Sequence, residues 1–205
     1  MPIAVGVSPL SRRMLLALAA LPALLTRPGM AQTTGRAATL VKSTGNQMVV
    51  IVNGPGNVAE KKPLLRQVVE AAVDVEDIGR FALGRFWHIA TPAQQKEYSA
   101  LFHDVLLNSI TVKIGEYKGV TFSMGATQAR DDGEHVMTVV TRPNNPPANV
   151  AWVVANGAGN AKIVDLIAEG TSMRLTQRSD YASYLARNNN NVQALIDAMR
   201  KQIAQ

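Results

Sequence analysis

The sequence predicts an α+β domain in which a twisted four-stranded antiparallel meander is wrapped by N-terminal and C-terminal helices. Three observations predict it. Apolar residues recur at helical spacing as far as Gly119, then alternate with polar ones from Val120 onward. Four alternating runs follow one another with only short turn clusters between them, a spacing that suits antiparallel neighbours. Helical spacing then returns in the tail. At 205 residues, 47% hydrophobic and 18% charged, the chain can build one sizeable core. It has no cysteine, which excludes a disulfide scaffold, a Cys-ligated metal and a Cys nucleophile.

The N-terminus comes first. Arg12 and Arg13 precede an apolar run from Met14 to Leu25, and Gly29-Met30-Ala31 offers small residues at the two positions a signal peptidase reads. That is the layout of a secretory signal peptide. The run is 12 residues long and contains Pro22, whereas spanning a bilayer takes about 20 apolar residues. Residues 1–31 are therefore read as a signal peptide and 32–205 as a single domain. Ser11-Arg12-Arg13-Met14-Leu15-Leu16 also resembles a twin-arginine signal, with Leu15 where the stricter pattern has Phe, so both export routes stay open. Removing this segment takes away three basic residues and no acidic one, leaving 18 basic against 15 acidic groups and lowering the net charge from +6 to +3. With scattered basic residues and few aromatics, nucleic acid is excluded as a partner.

In the mature chain, Leu40, Val41, Thr44, Met48, Ile51 and Val52 follow helical spacing up to the break at Asn53-Gly54-Pro55-Gly56-Asn57. Leu64, Leu65, Val68, Val69, Ala72 and Val73 form a second stripe, expected to start at Pro63, which suits a first helical turn. Asp74, with Asp77 three residues on, starts a short helix ending about Gly84. Thr91-Pro92-Ala93-Gln94 joins an N-cap, a first-position proline and a capping-box glutamine. The long helix it starts carries Tyr98, Leu101, Phe102, Val105, Leu106 and Ile110, with Gly119 as its latest stop. Strands follow from Val120, from about His135 to Arg142, from about Asn149 to Ala155 and from about Ala161 to Glu169. Tyr181, Tyr184 and Leu185 mark one closing helix; Val192, Leu195, Ile196, Met199 and Ile203 mark the other.

Catalytic and metal-binding patterns are poorly supported. His88, His103 and His135 stand at no metal-ligand spacing, and each is read as a surface or capping residue. His103 and Asp104 are adjacent on a helix, so they diverge by about 100°. Asp165 and Glu169 share a strand face that points to solvent by default. Gly157 and Gly159 lack the third glycine and the helix of a dinucleotide site. Arg174 and Arg178 are read as decoration of the tail rather than a phosphate clamp. The core-facing residues include many bulky or flexible ones, such as Phe81, Trp87, Phe102, Phe122, Met124, Met137 and Met199. They fit either a solid core or an adaptable apolar cavity.

Two separated motifs decide between these readings. Val75-Glu76-Asp77-Ile78-Gly79-Arg80-Phe81-Ala82-Leu83-Gly84-Arg85-Phe86-Trp87-His88, followed by Thr91-Pro92-Ala93-Gln94-Gln95, resembles the central signature of the MlaC, or toluene-tolerance, family of periplasmic phospholipid-binding proteins. Lys162 to Met173 resembles that family's last strand and its Glu-Gly-x-Ser exit. The subgroup associated with hopanoid gene clusters is the most similar. Two departures bear on ligand identity: Ala161 stands where the family often has an aromatic, and Ser109-Ile110 where many members show a Tyr.

The resemblance implies a sheet similar to nuclear transport factor 2, with an apolar cavity between it and the helices. It implies a periplasmic, monomeric carrier that is not an enzyme, needs no cofactor or metal, and moves phospholipid between the outer and inner membranes. An outer-membrane lipoprotein complex and an inner-membrane ABC transporter complex would be its partners. Lipid-contacting positions are then expected at Phe81, Phe86, Trp87, Phe102, Leu106, Ile110, Phe122, Val139, Val154 and Ile167. The alternatives are a hopanoid as ligand, or an exported enzyme on the same fold using Asp165 or His88.

Overall fold

The computed structural model describes residues 28–204 apart from 113, 158 and 159, with side chains from residue 35 onward except at 156 and 157. Most of the signal-peptide reading falls on 1–27, outside the described residues. The first helix, α1, spans Pro28–Asn53 and stops at the turn cluster the sequence marks. Two of its last carbonyls find donors: the Gly54 N–H donates to Val50 O at 2.9 Å and Lys61 Nζ to Val52 O at 2.8 Å.

Helix α2 (Val58–Ala72) begins earlier than its stripe suggests. The Glu60 N–H donates to Asn57 Oδ1 at 3.1 Å and the Asn57 N–H to Glu60 Oε2 at 2.8 Å, a complete capping box. That cap sets the start, and Pro63 is carried inside the helix with the loss of one ladder hydrogen bond. Lys162 Nζ, reaching from the sheet, donates to Ala71 O at 2.6 Å and so closes the far end.

Asp74 caps α3 (Val75–Leu83) as its spacing predicts, accepting from the Asp77 N–H at 3.0 Å. Gly84, at φ 57° and ψ −130°, ends that helix in a conformation suited to glycine. A 3-10 turn over Gly84–Trp87 leads to α4 (Pro92–Val112). Both halves of the predicted capping box form, Gln94 N–H to Thr91 Oγ1 at 3.2 Å and Thr91 N–H to Gln94 Oε1 at 3.0 Å. The helix stops at Val112, short of Gly119, and a second 3-10 turn covers Ile114–Tyr117.

The meander has five strands rather than four. They are β1 (Thr121–Arg130), β2 (Gly133–Thr141), β3 (Ala148–Gly157), β4 (Asn160–Ala168) and β5 (Thr171–Ser172), each antiparallel to the next and in sequence order. The fifth is two residues long, too short to show an alternating pattern. Helices α5 (Met173–Arg187) and α6 (Val192–Ile203) close the chain.

Register assigns each strand residue to a face. Phe122 pairs with Val140, Thr138 with Val150, Val136 with Trp152 and Trp152 with Leu166. These residues, with Val154 two along from Trp152, share the face that packs on α1. Ser123 pairs with Val139, Met137 with Ala151 and Ala151 with Ile167, all on the opposite face. Helix α1 lies across β1, β2 and β4, while α3 and α5 lie against β4; α4 packs on α2, α3 and α6.

Candidate functional site

Two apolar clusters organise the interior, and the predicted lipid positions divide between them. In the first, made only of helical and turn residues, the Tyr98 and Phe102 rings stack with centroids 5.8 Å apart. Tyr181 meets both edge-on, at 6.2 and 6.4 Å, and Trp87 meets Tyr98 at 6.4 Å. The buried Tyr98 hydroxyl donates to Gly79 O at 2.8 Å. Burial, with the nearby Tyr181, pushes the Tyr98 phenol far above its ordinary range, and burial, with Asp180, does the same for Tyr181. Phe86 and Phe102 are buried in this closed cluster, and half-buried Trp87 packs against it. Phe81 is half-buried at its margin, with the guanidiniums of Arg174 and Arg178 lying 4.6 and 4.9 Å from its ring centroid.

The second cluster joins α1 to the sheet through Ala37, Val41, Val136, Trp152, Val154 and Ile163. Trp152 Nε1 donates to Thr138 Oγ1 at 3.0 Å, and that hydroxyl donates to Val150 O at 3.0 Å, so the indole is anchored with no donor left over. Phe122 is half-buried on the same face, and its ring fills a notch at Gly45 of α1. A Cβ at Gly45 would stand 2.5 Å from the ring's Cζ, which accounts for a glycine inside a helix that would otherwise favour alanine. Asn53 ties the end of α1 to the start of the sheet, donating to Val120 O at 2.9 Å and accepting from the Gly119 N–H at 2.7 Å.

Val154 and Phe122 therefore share one face of the sheet, near its opposite ends, and Leu106 and Ile110 are half-buried on α4. Val139 and Ile167 are not with them, because register turns both to the other face of the sheet. Open grooves mark the surface of the described residues, and two of them stand out. One, about 380 Å³, lies between α1 and α2 and is lined by Asn46, Gln47, Val50, Ile51, Leu64, Gln67 and Val68. The other, about 480 Å³, lies between α5 and α6 around Tyr184 and Met199. Neither is lined by a predicted position.

The polar candidates settle into structural roles. Asp165 is buried rather than solvent-facing: it accepts from the N–H groups of Leu166 (2.8 Å) and Arg174 (3.0 Å) and from Ser172 Oγ (2.5 Å). Glu169 has left the strand, at φ 47°, and accepts from the Asn149 N–H, so the two carboxylates do not converge. His135 is buried within β2 rather than at the surface, 2.8 Å from Asp132 through Nε2. Burial alone would raise Asp132, but the hydrogen bond and charge of His135, with Arg174 behind them, hold its carboxyl below the usual range. His88 is exposed. His103 and Asp104 diverge along α4 yet reach one guanidinium, with Arg66 Nη1 at 3.2 Å from His103 Nδ1 and Nη2 at 2.7 Å from Asp104 Oδ1. Among the described residues no group of three or more side chains is placed to hold a metal ion. No described helix is long and apolar enough to cross a membrane.

Comparison with known proteins supplies a family and a fold. A family model described as MlaC protein matches residues 43–201. A solved structure, the phospholipid-binding protein from Ralstonia solanacearum in complex with a phospholipid, superposes with a TM-score of 0.72. It is 21% identical over 82% of this chain and 99% of that one, a likeness that establishes the α+β architecture.

Proposed function

This chain belongs to the MlaC family, and on that premise we propose that it is a periplasmic carrier that holds phospholipid acyl chains and shuttles lipid between the outer and inner membranes. It exchanges that lipid with an outer-membrane lipoprotein complex and an inner-membrane ABC transporter. Family membership, and a fold shared with a protein solved with a phospholipid bound, point to a binding and transport protein rather than an enzyme.

Physics says what such a carrier must supply. Exposing an acyl chain to water costs roughly 0.8 kcal/mol per CH₂. Two chains with about thirty such groups would face on the order of 25 kcal/mol in an aqueous gap. The protein must replace membrane hydrocarbon with apolar side chains that can move apart.

The seam between α1 and the sheet carries the assignment of the acyl-chain site. Around the helical cluster, 13 apolar residues are buried against six half-buried ones, whereas around the seam seven are buried against seven half-buried. The seam thus offers apolar surface that is already half open, including Leu40, Met48, Met124 and Leu166. Chains entering there would displace the Phe122 ring from its notch at Gly45 and run along the sheet face that also carries Val154, and Leu106 and Ile110 of α4 would be further lipid-contacting positions. Phe86 and Phe102 would support this site from the closed core, and Trp87 and Phe81 from its margin, rather than touch lipid.

The experiment is to purify the protein without detergent, extract it with organic solvent and identify the extract by mass spectrometry. Stoichiometric phospholipid is the expected result. A hopanoid would change the ligand, and an empty extract would overturn the carrier reading.

A further inference from the structure

Arg174 and Arg178, separate on the sequence, converge in the fold. They stand one turn apart on α5, and both guanidiniums rest on Phe81 of α3. Their electrostatic surroundings differ. Arg174 is mostly buried, at 17% exposure, with Asp165 Oδ2 at 3.6 Å and Asp132 Oδ2 at 3.9 Å. Arg178 is exposed and makes no ion pair or side-chain hydrogen bond among the described residues.

Arg178 is nevertheless held in place. Its guanidinium lies against Gly84, where a Cβ would come within 3.2 Å of Nε and 3.3 Å of Cζ and Nη2. The Gly84 φ of 57° already disfavours a side chain there, so one glycine both turns the chain and makes room for the arginine. A side chain that ordinarily loses much rotamer freedom on binding is thus already confined between a ring and a backbone. Asp165 and Asp132 offset the charge of Arg174 and are engaged with it, Ser172 and His135 rather than with Arg178, whose charge is left without an ion pair among the described residues. The planar guanidinium fork matches the oxygens of a phosphate group, which it binds through two parallel hydrogen bonds.

We infer that Arg178, held by Phe81 and Gly84, is a phosphate-binding group. The inference stands apart from the acyl-chain site, since it rests on the α3–α5 contact alone. The shared ligand chemistry is a phosphate mono- or diester, whether inorganic phosphate or a phospholipid headgroup.

The test follows the arginine Nε–H signals of the purified protein by NMR while inorganic phosphate or dihexanoyl phosphatidylglycerol is added at constant ionic strength with chloride. Loss of one signal in Arg178→Lys assigns the Arg178 group. The expected result is that this signal shifts and saturates with at least one probe, and that Arg178→Gln weakens binding of that probe by about tenfold or more. Gly84→Ala, which pushes the guanidinium from its seat, should weaken binding as well, with an unchanged far-UV spectrum showing that the fold survives. Equal affinity for both probes assigns the site to phosphate as such, and tighter binding of the lipid assigns it to a headgroup. An Arg178 signal unmoved by either probe, or Arg178→Gln binding both as tightly as the unaltered protein, overturns the inference. Failure of the acyl-chain reading would leave the inorganic-phosphate arm intact.

Discussion

Phe102 and Phe122 are the same side chain in two settings. Each ring abuts a glycine inside a helix: Phe102 approaches Gly79, where a Cβ would stand 3.0 Å away, and Phe122 approaches Gly45. Phe102 is 3% exposed and is also stacked on Tyr98 and edged by Tyr181. Phe122 stays half-buried at the seam between α1 and β1. A ring fixed by other rings has nowhere to go, while a ring seated in a notch at a layer boundary can leave when something apolar replaces it. The helical cluster is thus suited to holding the fold and the seam to changing its contents.

The largest expected effect lies in the closed cluster. Phe102→Ala should lower unfolding stability by about 3–5 kcal/mol, read from urea denaturation midpoints. Phe122→Ala should remove less, about 1–2 kcal/mol, because its ring starts half exposed. Equal losses would erase the distinction between the two regions.

Lipid occupancy sharpens the comparison from the other side. Leu106→Trp should expel most bound lipid while leaving a cooperative unfolding transition. Val139→Trp, on the far face of the sheet, should retain lipid at the unaltered level. Quantitative mass spectrometry of extracted lipid checks both, and loss of lipid in Val139→Trp would move the site to the other face.

Smaller effects separate the two buried tyrosines. Tyr98→Phe removes the buried hydroxyl that donates to the Gly79 carbonyl and should cost about 1–2 kcal/mol. The Tyr181 hydroxyl is buried without a hydrogen-bond partner among the described residues, so Tyr181→Phe should be neutral or slightly stabilising. Thermal midpoints of the two variants distinguish these outcomes.

The smallest effect near neutral pH comes from titration of the same phenols. Both pKa values are raised in the folded state, so the unfolded chain ionises first. Stability should be complete below the unfolded phenol pKa of about 10 and fall as pH rises beyond it. In Tyr98→Phe that alkaline decline should be shallower.

Local chemistry made much of the fold legible. The Thr91 capping box, the Asp74 cap and the Asn53 to Asn57 break each act within a few residues, and each stands where its residues predict. Pro63 misled because the Asn57–Glu60 box upstream nucleates the helix first. Strand β5 escaped because two residues carry no period. Among the candidate positions, Val139 and Phe122 both read as inward-facing, yet β1 pairs Phe122 with Val140, and a shift of one residue exchanges faces. His135 and Asp165 looked like surface groups because their partners, Asp132, Ser172 and Arg174, are brought to them by turns and a helix rather than by spacing along a strand.

By itself, the sequence determined the α+β class, the order of the helices and the four long strands, and the family, because periodicity, caps and contiguous motifs are properties of neighbouring residues. Tertiary structure alone decided which apolar residues form a closed core and which an open seam. Burial depends on what packs from another element. The same holds for Arg174 and Arg178, whose meeting on Phe81 depends on α5 lying across α3.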